Sequence, residues 1–330
     1  MNKFIFFFLA LLGLVHPVFA LKTRLSLQNE WGFYRSDNPW ETDKFRLLCR
    51  FDALFHAFYR DDPNDYQGKI RITPVQYGFN SADRLITYQI SGNVSRRLKE
   101  DRTIFVSLSR QGQFFHYGNL KINAAINQAQ GDYYYNGEKF QQLVHGQYAY
   151  RSIDNANPNT LDIISIQYTL FHRFNQFTLG GGVSAERFQI QFLSKKNKGW
   201  RPGLHLNVGY SGAFEFRFDY NGLYHESLIT SFPSYEQNFK VLAGILLGNK
   251  WSVFAYADFY FRHFTRSSSI DDLFYSPLDS ENFIYIKTDC ELTPILAVYG
   301  KAGYFRDKLG ADAKAIGGFQ ALLGLRLQSH

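Results

Sequence analysis

The sequence is poor in several features that would define other classes of protein. Its 330 residues include only 2 cysteines, too few for a disulfide scaffold, and its single methionine is Met1, which leaves no Met-rich adaptable surface. After residue 20 the best apolar stretch is residues 241–247, far shorter than the ~20 residues of a spanning helix. A mean hydropathy of −0.28 is likewise too polar for a bundle of membrane helices.

Aromatic residues, in contrast, are abundant. Phe, Tyr and Trp make up 18% of the chain, with 33 Phe and 22 Tyr, and these residues favour β-strands. Tyr and Trp also collect at membrane–water interfaces. The composition therefore favours a β-protein in contact with a membrane.

Residues 1–20 have the pattern of a secretory signal peptide. Lys3 supplies the positive start, an apolar run follows from Phe4 to Val15, and Ala20 is a suitable residue for cleavage. An N-terminal membrane anchor is the alternative, but the apolar run is short for a spanning helix. We expect residues 21–330 to form a single mature domain.

Hydrophobicity in that domain alternates with a period of two. In residues 44–60 the odd positions are apolar, as at Phe45, Leu47 and Phe51, whereas the even positions include Arg46 and Asp52. Successive side chains of a strand point to opposite faces, so these are two-faced strands. Many run for twelve to sixteen residues, longer than the five or six that soluble sheets average, although a soluble β-sandwich also alternates.

The pattern predicts a transmembrane antiparallel β-barrel with sixteen strands. Short links and longer links take turns along the chain, which places the short turns and both termini in the periplasm. The region 61–138 breaks this rhythm, so fourteen strands is the alternative. The predicted strands cover residues 23–34, 44–60, 66–79, 84–98, 103–114, 118–130, 139–151, 160–173, 177–190, 201–211, 213–224, 237–248, 251–264, 282–292, 295–306 and 314–328.

This architecture resembles that of Gram-negative outer-membrane β-barrels of the porin or channel kind. The resemblance covers the whole mature chain and implies a location in the outer membrane, with assembly by the barrel-assembly machinery. It departs at the last residue, because such barrels typically end in an aromatic side chain and this chain ends at His330.

The polar faces of the second and third predicted strands form a basic wall inside the barrel. It consists of Lys44, Arg46, Arg50, Lys69 and Arg71, and Asp52 is the single carboxylate that offsets their positive charge. Rings and ladders of Arg and Lys select anions, so the wall predicts an anion-attracting pore. In the alternative interpretation the lumen is filled, and these cations pair across it with carboxylates of later strands.

Two predicted outer loops carry further charge. The first, 265–281, would oppose the basic wall with Asp271, Asp272, Asp279 and Glu281 if it folded inward. The second, 191–201, would meet the phosphates of lipopolysaccharide, although a solvated loop is the simpler interpretation. Its basic residues are Lys195, Lys196, Lys198 and Arg201.

Other chemistry has weak support. His225, Glu226 and Ser227, with Glu236 eleven residues beyond His225, resemble the His-x-Ser motif of lipid A deacylases, but their parity faces the lumen rather than lipid. The 9 His lack metal-ligand spacing and no Gly-rich phosphate loop is present, so we predict no metal or cofactor. The net charge of +7 would suit nucleic acid, but the signal peptide directs the chain away from it.

The sequence thus predicts an outer-membrane channel for small polar, anionic solutes rather than an enzyme. A barrel without a conducting pore, serving as a structural protein, an adhesin or a receptor, is the first alternative, and the lipid hydrolase is the second. The expected partners are outer-membrane lipid, lipopolysaccharide, the barrel-assembly machinery and the solutes.

Overall fold

The computed structural model of the chain is a closed barrel of sixteen antiparallel strands. It describes residues 21–37, 45–77, 84–117, 120–154, 159–192, 195–225, 233–264, 282–307 and 316–329. The strands are β1 Lys22–Ser36, β2 Phe45–Asp61, β3 Asn64–Tyr77, β4 Arg84–Lys99, β5 Arg102–Tyr117, β6 Leu120–Asn136, β7 Phe140–Asp154, β8 Asn159–Phe174, β9 Phe177–Phe192, β10 Lys195–Ser211, β11 Glu215–His225, β12 Ser234–Leu247, β13 Trp251–Phe264, β14 Phe283–Thr293, β15 Leu296–Asp307 and β16 Ile316–Gln328. The predicted fold class and the preferred strand number are confirmed, and the fourteen-strand alternative is wrong.

The alternation seen in the sequence separates the two faces of the barrel wall. Apolar side chains such as Val183, Leu206 and Ile286 lie on the outside and are exposed. Polar side chains of the opposite parity, such as Asp52 and Asp289, are buried inside. An apolar band around a polar interior is the arrangement of a transmembrane barrel.

Among the described residues, no helix is long and apolar enough to cross a membrane.

Seven connections at one rim contain only two or three residues each: 62–63, 100–101, 137–139, 175–176, 212–214, 248–250 and 294–295. The region 61–138 also follows the alternation of short and long connections, since β2 and β3 are joined by Asp62 and Pro63 alone. β1 begins and β16 ends at this same rim, where Ser26 pairs with Gln328. The periplasmic position of this rim remains a prediction.

The expected long loop at 191–200 is wrong. β9 continues to Phe192 and β10 already begins at Lys195, so the two strands project together as one hairpin. Sixteen residue pairs, from Lys195 with Phe192 to Tyr210 with Phe177, hold this hairpin together. Backbone pairing therefore outweighs the polar composition that suggested a loop.

A polar network crosses the closure between β16 and β1. Tyr299 of β15 donates its hydroxyl to Glu30 of β1 at 3.1 Å, and Arg50 of β2 donates to the other oxygen of Glu30 at 3.2 Å. Tyr299 reaches over β16 because Gly324 has no side chain there. An added Cβ at Gly324 would lie 2.3 Å from Cζ of the Tyr299 ring.

The two cysteines are both free, as the strand assignment predicts. Cys49 lies on β2 and Cys290 on β14, four steps apart around the barrel. At about 4.8 Å a step, this exceeds the ~7 Å Cα separation that a disulfide tolerates.

Candidate functional site

The candidate site is the lumen, because it collects the polar face of every strand. A sixteen-strand barrel is wide enough to hold an aqueous channel. Several charged side chains on its inner wall are open to solvent: Lys240 is 44% exposed, Arg71 51% and Arg217 69%. A solid polar core would bury such groups, so this part of the lumen is accessible to water.

Four of the five predicted basic-wall residues lie on the described inner faces of β2 and β3. Arg46 and Arg50 share the parity of buried Asp52, while Lys69 and Arg71 lie opposite the exposed face of Ile70 and Ile72. The pairing of His56 with Lys69 and of Leu54 with Arg71 brings the two strands into one surface. Lys44 lies outside the described residues.

More of the basic wall's positive charge is neutralised by carboxylates than the sequence suggests. Arg71 forms a two-pronged contact with Asp52, at 2.7 and 2.8 Å, and Thr73 donates to the same carboxylate. Arg50 pairs with Glu30 on β1, so the expectation that only Asp52 relieves the wall is wrong. Lys69 is exposed and forms no ion pair with any described residue, and it supplies uncompensated positive charge to the lumen.

Carboxylates of the later strands pair locally rather than across the lumen. Asp258 contacts Lys240 at 3.3 Å on neighbouring strands, and Asp219 lies 3.6 Å from Arg217 on the same strand. Asp289 accepts from Lys287 at 2.8 Å and lies 3.5 Å from Arg326. These carboxylates are therefore neutralised by cations of their own strand or of a neighbouring strand.

One sector of the lumen is nevertheless filled, at the end of β9–β12 remote from the short turns. Arg201 contacts Glu186 at 2.7 Å and Glu236 at 3.5 Å, and its guanidinium lies 5.4 Å from the centre of the Phe188 ring. Phe188 in turn stacks on His225 at 4.7 Å. The shared lumen parity of these residues was the only sequence signal for this cluster.

This cluster corrects the predicted lipopolysaccharide contact of Arg201. The Arg201 side chain is only 9% exposed and points inward, so it is not available at the outer surface. Lys196 and Lys198 have the opposite parity and are exposed on the outside, above Trp200, which is 63% exposed. The side chain of Lys195 is not among those described.

The same cluster bears on the hydrolase interpretation. His225 is 1% exposed and lies inside the barrel, where it cannot face membrane lipid. Glu226 and Ser227 lie outside the described residues, as do Asp271, Asp272, Asp279 and Glu281 of the expected acidic loop. Within the described part of the chain no group of three or more His, Cys, Asp or Glu could hold a metal ion.

Aromatic side chains and lysines line β13–β15, an arrangement that sequence reasoning missed. Tyr256 stacks on Tyr285 at 4.9 Å, and the ammonium of Lys301 lies 4.1 Å from the centre of the Tyr285 ring. Lys287 is placed similarly over Tyr299, at 4.4 Å. Cation–π contacts of this kind offset the repulsion between two lysines that the strand register sets side by side.

Comparison with known proteins identifies the fold. No protein-family model matches the sequence, and no curated protein matches it. Among solved structures, the chain is similar to in-vitro folded OmpT, an outer membrane protein of Vibrio cholerae. That match has a TM-score of 0.51 and 11% identity, over 94% of this chain and 97% of that one.

A second similar structure is CdiB from Acinetobacter baumannii. Its TM-score is 0.54 and its identity 7%, over 93% of this chain but only 60% of CdiB. At these identities the likeness concerns the fold alone. The chain therefore has the fold of Gram-negative outer-membrane β-barrels, and its apolar outer band is that of a barrel that spans a membrane.

Proposed function

We propose that the barrel is a channel through which small polar solutes, preferentially anions, cross the outer membrane. The observation that carries the proposal is the solvent-open, charged inner wall, with Arg71 51% and Arg217 69% exposed. Groups of this kind remain hydrated only where water enters the lumen. Lys69 adds positive charge that no described carboxylate neutralises.

Coulomb's law sets the expected size of the selectivity. One unit charge acts on an ion about 10 Å away with about 0.4 kcal/mol in water, which changes the local ion concentration about twofold. At 0.1 M salt the Debye length is also about 10 Å, so the effect is weaker there. We expect modest anion selectivity that increases as ionic strength falls.

Conductance and reversal potential in a planar bilayer test the proposal. Lys69→Glu reverses a single unpaired charge and is expected to shift the reversal potential toward cations, most strongly at low salt. The matched control is Asp52→Asn with Arg71→Gln, which removes an ion pair and leaves the net charge unchanged. The control should keep the wild-type selectivity.

Two results would contradict the proposal. If the wild-type protein does not conduct, the barrel is a non-conducting structural protein, adhesin or receptor. If it conducts but Lys69→Glu leaves the reversal potential unchanged, the channel remains and the basic wall has only a structural role.

We also propose that Lys196 and Lys198 contact lipopolysaccharide phosphates, and that the chain uses the barrel-assembly machinery. The support is positional: both lysines project outward beyond Trp200, and Trp belongs to the interfacial girdle of membrane barrels. Binding of purified barrel to lipopolysaccharide, measured with Lys196→Gln and Lys198→Gln, tests the contact.

A further inference from the structure

The inner faces of β4 and β5 carry hydrogen-bonding side chains without charge. Within the fully described ranges Thr87–Ser95 and Ser107–Gln113, no inward side chain is ionisable. The centre of this surface, which we call the amide block, consists of three register pairs: Gln89 with Gln111, Ser91 with Ser109, and Asn93 with Ser107. The block faces the lumen, because Ser91 pairs directly with the inward Lys69 of β3, and Gln89 and Gln111 are exposed there.

A basic row adjoins the amide block on its β3 side. The register sets Arg24 of β1 beside His56 of β2, and His56 beside Lys69. Lys69 in turn lies beside Ser91, so a single row of neighbours runs from positive charge into the uncharged block. Arg24 and Lys69 are exposed, and neither forms an ion pair with a described residue. Like charges on neighbouring strands repel, so an anion bound beside Lys69 is stabilised by the row and reduces its repulsion.

Two glutamines of β6 hold the other side of the block in place. Gln128 accepts a hydrogen bond from the Ser109 hydroxyl at 3.2 Å. Gln130, the register neighbour of Ser107, donates to the buried Asp132 at 2.7 Å. Because these bonds fix the side chains before any solute arrives, binding at the block loses less conformational entropy.

The amide block and the basic row match the two halves of a phosphorylated sugar. Serine hydroxyls and the amides of Asn and Gln both donate and accept hydrogen bonds, as sugar hydroxyls do. Such uncharged groups also cost less free energy to remove from water than ions. A phosphate monoester carries about 1.5–2 negative charges at pH 7 and offers only acceptors, which suits the Lys69 ammonium.

The spacing of the strands fits a molecule of this size. Neighbouring strands lie about 4.8 Å apart, so the step from Lys69 across Ser91 to Ser109 covers about 10 Å. A hexose phosphate in its extended form has about this length. Its phosphate can therefore lie beside Lys69 while its hydroxyls meet Ser91 and Ser109.

We propose that the junction of the basic row and the amide block binds monosaccharide phosphates, with the phosphate at Lys69 and the sugar against the amide block. The inference rests on the proposed function, since it names a class of anion that the channel takes up. Inorganic phosphate makes only the first contact and an uncharged sugar only the second, so both bind more weakly.

Isothermal titration calorimetry of the full barrel in detergent micelles tests the site with glucose 6-phosphate, inorganic phosphate and glucose. Glucose 6-phosphate is expected to bind at least about fivefold more tightly than either of the other two, because it adds several hydrogen bonds to the charged contact. Undetectable binding of glucose 6-phosphate, or equal affinity for it and inorganic phosphate, would overturn the proposal.

Two variants separate the halves of the site. Lys69→Gln should weaken both glucose 6-phosphate and inorganic phosphate about tenfold, because both lose a hydrogen bond to a charged group. Ser91→Ala combined with Ser109→Ala should weaken glucose 6-phosphate about fivefold and leave inorganic phosphate unchanged. If the double variant binds glucose 6-phosphate like the wild type, the sugar does not lie on the amide block and the proposal is wrong.

The matched control removes two inward serines elsewhere in the lumen, Ser165 of β8 and Ser252 of β13. Ser165 pairs with Glu186 and Ser252 with Asp289, so neither adjoins the basic row or the amide block. Ser165→Ala combined with Ser252→Ala should bind all three probes like the wild type. An equal loss of glucose 6-phosphate binding in both double variants would show a general effect of the lumen and refute a defined site.

Conductance in a planar bilayer separates a failure of this inference from a failure of the channel. A barrel that conducts anions but does not distinguish glucose 6-phosphate from inorganic phosphate keeps its channel role and lacks the site. A barrel that shows the predicted binding pattern but does not conduct keeps the site, and only the channel role is refuted.

Discussion

The closure between β16 and β1 depends on Glu30, and we predict that Glu30→Gln destabilises the barrel by about 2 kcal/mol. Glu30 is 7% exposed and accepts from Tyr299 at 3.1 Å and from Arg50 at 3.2 Å. A hydrogen bond to a charged group contributes about 1.5–3 kcal/mol. Breaking a fully buried ion pair costs about 3–5 kcal/mol, but the Arg50 side chain is 29% exposed to the lumen and regains part of its hydration.

Urea unfolding of the barrel in detergent micelles, followed by tryptophan fluorescence, measures this free energy. Arg217→Gln is the matched control, because it breaks an ion pair of 3.6 Å whose arginine is 69% exposed. Exposed pairs contribute about 0–1 kcal/mol, so the control should unfold almost like the wild type. If Glu30→Gln and Arg217→Gln had equal unfolding free energies, the polar network of Glu30, Tyr299 and Arg50 would not stabilise the closure between β16 and β1.

Gly324→Ala tests the same network from the other side. The added methyl would lie 2.3 Å from the Tyr299 ring, so the ring must move and its bond to Glu30 is lost. The substitution should be destabilising in the wild type and nearly neutral in a Tyr299→Ala background. A large cost in both backgrounds would locate the strain in the backbone instead.

Two further predictions concern the outer band and the filled sector. Leu206→Arg, on the outward face of β10 and well inside the strand, should cost about 2–4 kcal/mol. Gln89→Arg, on the lumen face of β4, should fold almost normally, and equal unfolding free energies of the two variants would contradict the assigned faces. Arg201→Ala should cost about 3–5 kcal/mol, because it leaves the buried Glu236 and the partly buried Glu186 without their counter-charge. The Lys196→Gln and Lys198→Gln variants should unfold like the wild type. If the Arg201→Ala barrel were instead as stable as the wild type and bound lipopolysaccharide less tightly, Arg201 would have to lie on the outer surface.

Prediction from sequence worked best where one strong physical rule applied. A strand that separates lipid from water must alternate, so residues 44–60 indicated both a long strand and the direction of its side chains. It worked less well at 191–200, where a run of lysines and a glycine suggested a loop. A polar composition indicates only that a segment is exposed to water. Residues 195–200 form a strand nevertheless, because β9 and β10 continue to pair beyond the predicted end of the hairpin.

The site shows a similar division. The parity of Arg50, Lys69 and Arg71 could be read directly, and their positions in the structure match it. Their partners could not be read, because Glu30 joins Arg50 through the register of β1 with β2, which depends on how the barrel closes.

The long two-faced strands, and the face on which each residue lies, follow from the residue pattern alone, because side-chain direction in a strand is a local property of the backbone. The pattern also determined the approximate number of strands, since turns interrupt the alternation. The folded barrel was needed to show which charges meet, which sector of the lumen is open and which is filled, and where Arg201 points. Those outcomes depend on register and closure, which join residues far apart in the chain, such as Glu30 and Tyr299.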